Sequence, residues 1–90
     1  MTFSFSKDFF KQLKKANNAG LNKAVLKLTE ELPHVENITD LTGIKKLRGH
    51  SEAYRLRLGK YRLGFYLEEQ NHIFFAAVAK REIFYRSFPK

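Results

Sequence analysis

No cysteine occurs in the 90 residues, so neither a disulfide framework nor a thiolate metal site can support the fold, and the composition suits a reducing compartment. No apolar run approaches the roughly 20 residues that span a bilayer, and the opening segment MTFSFSKDFFKQLKK interrupts its phenylalanines with polar and basic residues. The expectation is a soluble cytoplasmic protein without membrane association. A glycine-rich phosphate loop is missing as well; Gly43 and Gly49 read as turn formers, which leaves nucleoside-triphosphate chemistry unsupported. His34, His50 and His72 fall in a loop, beside a turn and at a strand start, without ligand spacing, so no metal site and no cofactor are expected. No repeat, low-complexity segment or linker divides the chain. Residues 1–90 are too few for two cores and read as a single domain.

Acidic side chains are scarce: nine Asp and Glu stand against 17 Lys and Arg, a formal charge of +8. The excess is uneven. Residues 1–44 carry six basic and five acidic side chains, whereas residues 45–90 carry eleven and four. A field concentrated in one half of a small protein favours a polyanion, and nucleic acid is the commonest.

The apolar residues, 43% of the chain with nine phenylalanines, are patterned. Phe3 and Phe5 alternate with polar neighbours as in a short strand, after which Ser6 can cap a helix from Lys7 that presents Phe9, Leu13 and Ala16 on one face. Asn17, Asn18 and Gly20 break that helix. A second follows, with Leu21, Ala24, Val25, Leu28 and Leu32 in one stripe until Pro33 ends it. Residues 33–43 lack a period and read as a loop. Residues 54–58 and 61–67 then alternate across Gly59-Lys60, a two-residue type II′ turn, and residues 72–79 supply a third meander strand. The resulting architecture is α+β, two N-terminal helices packed on one face of a small antiparallel sheet.

Parity assigns Leu56, Leu58, Tyr61, Leu63, Phe65, Leu67, Phe74, Ala76 and Val78 to the helix-covered face. The other face receives Arg55, Arg57, Arg62, Gly64, Tyr66, Ile73, Phe75, Ala77 and Ala79, with Arg81 following on that side. With Gly59-Lys60 as the turn, Arg57 lies opposite Arg62 and Arg55 opposite Gly64. Like charges so paired destabilise a sheet by up to about 1 kcal/mol, a conflict that an anionic ligand relieves. Guanidinium groups match phosphate oxygens bidentately, and Tyr66, Phe75 and the Phe84, Tyr85 and Phe88 tail offer rings on which bases can stack.

The ordered set Lys46-Leu47-Arg48-Gly49, Tyr54-Arg55-Leu56-Arg57-Leu58, Lys60-Tyr61-Arg62-Leu63 and Ala79-Lys80-Arg81-Glu82 with Tyr85 resembles the RelE/ParE toxin superfamily over nearly the whole chain. The resemblance implies a RelE-like, microbial ribonuclease-like fold and a type II toxin–antitoxin toxin, a metal-independent endoribonuclease that cleaves mRNA on the ribosome. By motif, Arg62 looks like the phosphate-binding arginine, Arg81 like the leaving-group or transition-state arginine, and Tyr85 like the tyrosine that stacks on the target base. Arg57 joins these in the catalytic set. Arg55 and Arg57 stand where RelE-type enzymes carry basic residues, often lysines, and Arg55, Arg48, Lys46 and Lys80 form the expected RNA-binding set. Arginine is a poor proton acceptor, so the general base stays open among Lys80, His50, Glu52 and Tyr85. The implied partners are the ribosome with its mRNA and a cognate antitoxin in a hetero-oligomer. An acidic, apolar antitoxin segment would anchor on Phe84, Phe88, Pro89, Phe9, Phe10 and the second helix. The alternatives are a ParE-like DNA gyrase inhibitor without nuclease activity and an inactive RNA-binding relative.

Overall fold

The computed structural model describes residues 1–89. A first strand, β1 (Thr2–Phe5), ends at Ser6, whose Oγ accepts the Phe9 N–H at 3.0 Å and so caps helix α1 (Lys7–Ala16). Asn17 closes α1 in the left-handed region at φ 47°, and the Asn18 side chain caps α2 (Ala19–Glu31) by accepting from Leu21 N–H. Two adjacent asparagines thus fold the helical hairpin, one as a stop and one as a start. Pro33 ends α2 in a single 3-10 turn (Leu32–His34).

The segment read as a loop contains a second such turn (Ile38–Asp40) that buries Ile38, and leads into strand β2 (Ile44–Lys46). Strands β3 (Ala53–Leu58), β4 (Tyr61–Glu68) and β5 (His72–Lys80) form the meander, and helix α3 (Arg81–Ser87) follows at once. Gly59 sits at φ 60° at the first turn position, which the type II′ hairpin requires. The sheet order is β1-β5-β4-β3-β2. The three meander strands run antiparallel as the alternation predicts and β2, which the alternation did not mark, adds antiparallel to β3, while β1 returns to pair in parallel with β5, Thr2 beside His72 and Phe5 beside Phe75. The fold is α+β with a mixed sheet.

Helices α1 and α2 cover one face, where Phe9, Leu21, Val25, Leu28 and Leu32 pack on Leu56, Leu63, Phe65, Ile73, Phe75 and Val78. This corrects the parity of β5. Gly64 pairs with Ala77 but Phe65 pairs with Phe75, so the strand bulges at Ala76 and its phase flips. Ile73 and Phe75 therefore join the core and not the arginine face, and Phe74 goes the other way. The physical cause is visible in the spacing Ile73, Phe75, Val78, two residues and then three, which only a bulge can bring to one face.

The opposite face is not open along its length, because α3 and its tail lie across it. Phe84 and Phe88 are fully buried against Ala53 and Ala77, with Phe88 over Gly64. Beyond Phe5 the outer edge of β5 is finished by α1: Ser6 N–H donates to the Phe75 carbonyl, Ser6 Oγ to that of Ala76, and Gln12 Oε1 accepts the Val78 N–H at 2.8 Å. Among the described residues no helix is long and apolar enough to cross a membrane.

Candidate active site

The β3–β4 hairpin, the end of β5 and the start of α3 meet at one end of the sheet. Register places Arg57 directly opposite Arg62, as the turn predicts, and Tyr61 opposite Lys80. The Arg81 N–H donates to the Lys60 carbonyl at 3.3 Å, tying the first residue of α3 to the hairpin turn. A cleft of about 620 Å³ results, lined by Arg57, Gly59, Lys60, Arg62, Lys80, Arg81 and Glu82.

Arg62 is the unusual member. It is only 6% exposed, and its one hydrogen bond is a long 3.5 Å contact from the guanidinium to the Tyr61 carbonyl. No carboxylate pairs with it among the described residues. A buried cation without an anion is costly, because burial removes its hydration and a single long hydrogen bond to a carbonyl repays little of it. Repulsion from Arg57 across the ladder adds to that cost. A phosphodiester entering the cleft would supply the missing negative charge, and bidentate oxygens to match the guanidinium fork.

The other predicted residues divide. Lys80 lines the cleft with Arg57, Arg62 and Arg81. Tyr85 does not line it; the ring is 53% exposed and stands edge-on to Phe84 at 5.0 Å, one helical turn from Arg81 and on the same side of α3. Arg55 shares the face but is turned toward β2, where a terminal guanidinium nitrogen donates to the Gly43 carbonyl at 2.7 Å and the buried Nε lacks a partner. Gly43, at φ 82°, accepts the Arg57 N–H with the same oxygen. Arg55 thus braces the strand that carries Arg57 and lies off the cleft wall.

Lys46 and Arg48 lie at the opposite end of β3, in a shallow groove with Gly49, His50 and Ser51. His50 rests against the Tyr66 ring at 5.4 Å. Five residues of strand separate Glu52 from Arg57, roughly 16 Å. Sequence reasoning missed Lys60 and Glu82 as cleft residues. Lys60 was legible as a turn position and motif member but not as a cleft residue, and the place of Glu82 depended on α3 beginning immediately after β5. His72 is also more than a surface residue: Nδ1 is 2.7 Å from Thr2 Oγ1 and Nε2 2.8 Å from Ser4 Oγ, so it staples β1 to β5. No three His, Cys, Asp or Glu side chains among the described residues group as a metal site.

The expected antitoxin anchors need correction in part. Phe9, Phe84 and Phe88 are buried in the fold and unavailable, whereas Phe10, Leu26, Ile83 and Tyr85 are at least half exposed.

No family model matches the chain. It is 33% identical to Toxin RelE3 of Methanocaldococcus jannaschii over 90 residues, 99% of this chain and all of the relative. The toxin in a crystal structure of the RelB-RelE antitoxin-toxin complex from Methanococcus jannaschii superposes with a TM-score of 0.79 at 30% identity, covering 94% of this chain and 98% of that one. The isolated Escherichia coli RelE toxin shares the fold, with a TM-score of 0.63, 22% identity, and coverage of 94% and 92%. Identity at this level along the full length of both chains, joined to a superposition with a TM-score of 0.79, leads to one assignment: the chain belongs to the RelE toxin family.

Proposed function

We propose that this RelE-family toxin is a ribosome-dependent endoribonuclease that cleaves mRNA by attack of a ribose 2′-OH on the adjacent phosphate. The products are a 2′,3′-cyclic phosphate and a free 5′-OH. The observation that carries the reading is the buried Arg62, with no carboxylate partner among the described residues, on the wall of a cleft it shares with Arg57 and Arg81. Arg62 holds the scissile phosphate, and Arg81 stabilises the charge that develops on the phosphorane and the leaving oxygen. Arg57, across the ladder, adds to the same stabilisation, and arginines alone can support such chemistry without a metal.

Tyr85, exposed one turn beyond Arg81, stacks on the target base. Lys80 and Lys60 contact the flanking backbone, and Lys46 and Arg48 hold RNA further along the sheet. Arg55 contributes by fixing the position of Arg57 more than by touching RNA. The partner that silences the toxin in the cell is a cognate antitoxin in a hetero-oligomer, the arrangement described for the Methanococcus jannaschii relative.

The test is a cleavage assay with translating ribosomes on a defined mRNA, run beside a gyrase supercoiling assay. The reading requires ribosome-dependent fragments ending in a cyclic phosphate. Intact mRNA together with inhibited supercoiling would replace it with the ParE-like alternative.

A further inference from the structure

The 2′-OH must lose a proton as it attacks, and none of the three cleft arginines can take it, since a guanidinium stays protonated and offers no acceptor. Lys80 is also on the wall, but a lysine ammonium has three donors and no acceptor to offer a hydroxyl. His50 and Glu52 lie at the far end of β3, and Tyr85 is outside the cleft lining. Glu82 is the one carboxylate on the wall among the described residues, set among Arg57, Lys60, Arg62, Lys80 and Arg81. Despite these five cations, none of the described residues holds it in a hydrogen bond or ion pair, so its oxygens are open to an incoming substrate.

We infer that Glu82 is the proton acceptor for the attacking 2′-hydroxyl, an assignment that rests on the nuclease reading above. A phosphodiester seated between Arg62 and Arg81 places the 2′-oxygen beside its own phosphorus, and so at the same wall as Glu82. The O2′–P bond forms as the hydroxyl proton passes to the Glu82 carboxylate. The P–O5′ bond breaks, its electron pair leaves on O5′, and that oxygen takes a proton from water. Glu82 then returns its proton to solvent, so nothing is consumed beyond the RNA linkage. Position in the first turn of α3 gives Glu82 a second use, since a carboxylate there favours the helix. The experiment must therefore separate chemistry from folding.

Single-turnover cleavage on translating ribosomes is measured for the full chain and two variants over about pH 5.5 to 8.5, the range in which an imidazole titrates. Glu82→Gln is expected to slow cleavage by on the order of a hundredfold or more, the size of a lost general base, with ribosome binding unchanged and the melting temperature lowered only by the small contribution of a first-turn carboxylate. Glu82→His is expected to restore part of the rate and impose a pH limb in the imidazole range, near 6.5 as a class, that the parent lacks. Cleavage by Glu82→Gln within about threefold of the parent, well short of a general-base effect, overturns the assignment. So does a slow Glu82→His variant whose pH profile is unchanged, because a structural role would not respond to the new group. A parent protein that leaves mRNA intact would instead remove the nuclease reading, and this assignment with it.

Discussion

An ideal Cβ built on Gly64 would lie 2.6 Å from Cγ and Cδ2 of Phe88 and 2.8 Å from Cε2. Carbon atoms in contact sit about 3.5–4.0 Å apart, so Gly64→Ala forces the ring to move by roughly 1 Å. That ring is 2% exposed and wedged beside Tyr66 and Phe84, with centroids at 5.1 and 5.4 Å, and has little space to yield. Overpacking of this kind costs about 1–3 kcal/mol. Replacing a strand glycine returns about 0.5–1 kcal/mol by restricting the unfolded chain. A net loss of roughly 1–2 kcal/mol follows, and each kcal/mol lowers the melting temperature by about 4–8 °C in a domain of this size. Cleavage falls with it, because the displaced tail belongs to the helix that begins with Arg81. Thermal and urea melts of Gly64→Ala, Phe88→Leu and the double variant form the assay. In the Phe88→Leu background the shorter, flexible side chain accommodates the methyl, and the cost of Gly64→Ala should drop below about 0.5 kcal/mol, a coupling between neighbours in contact. An unchanged melting temperature for Gly64→Ala, or strict additivity in the double variant, would refute the packing argument.

Arg62→Ala and Arg81→Ala should each slow mRNA cleavage on the order of a hundredfold, the cost of one preorganised charge-stabilising donor; full single-turnover rates in both folded variants would remove them from the mechanism. Gln12→Ala strands the Val78 N–H at the edge of β5 and should cost about 1–3 kcal/mol in a urea melt; an unchanged midpoint would show that this hydrogen bond contributes nothing to the fold. The association rate of the cognate antitoxin, measured by surface plasmon resonance at about 50 and 500 mM salt, should fall steeply between the two, and an unchanged rate would reject steering by the +8 charge.

The helical hairpin was legible because its punctuation is local: Ser6, Asn17 and Asn18 act within a turn of where they stand, and Pro33 stops what precedes it. The ladder that opposes Arg57 and Arg62 was legible for the same reason, once Gly59-Lys60 fixed the register. What could not be read is decided at a distance. Phe3 and Phe5 announce a strand but not its parallel partner, and no short motif says that His72 will meet Thr2 and Ser4. Period counting carried β5 straight through Ala76, although the spacing of its large side chains already demanded a bulge. Phe84 and Phe88 give too short a stripe to signal a helix, so the sequence shows only an apolar tail. Their burial depends on Gly64, Ala53 and Ala77 making a flat platform beneath them. Glu82 followed from that: its place on the cleft wall exists only because α3 turns back there.

The pairing of β1 with β5 joins residues 70 apart in the chain, Thr2 with His72. Closing a loop of that length costs conformational entropy before any contact repays it, so this strand pair forms late, after the local meander has assembled. During synthesis the first half of the chain emerges as a helical hairpin whose apolar face has no sheet to cover. The arginine ladder appears only with the β3–β4 hairpin, and Arg81 only after β5 is complete. The cleft therefore cannot assemble until every residue from Arg57 to Glu82 has been made, and until then the apolar face of the helical hairpin has no sheet to cover.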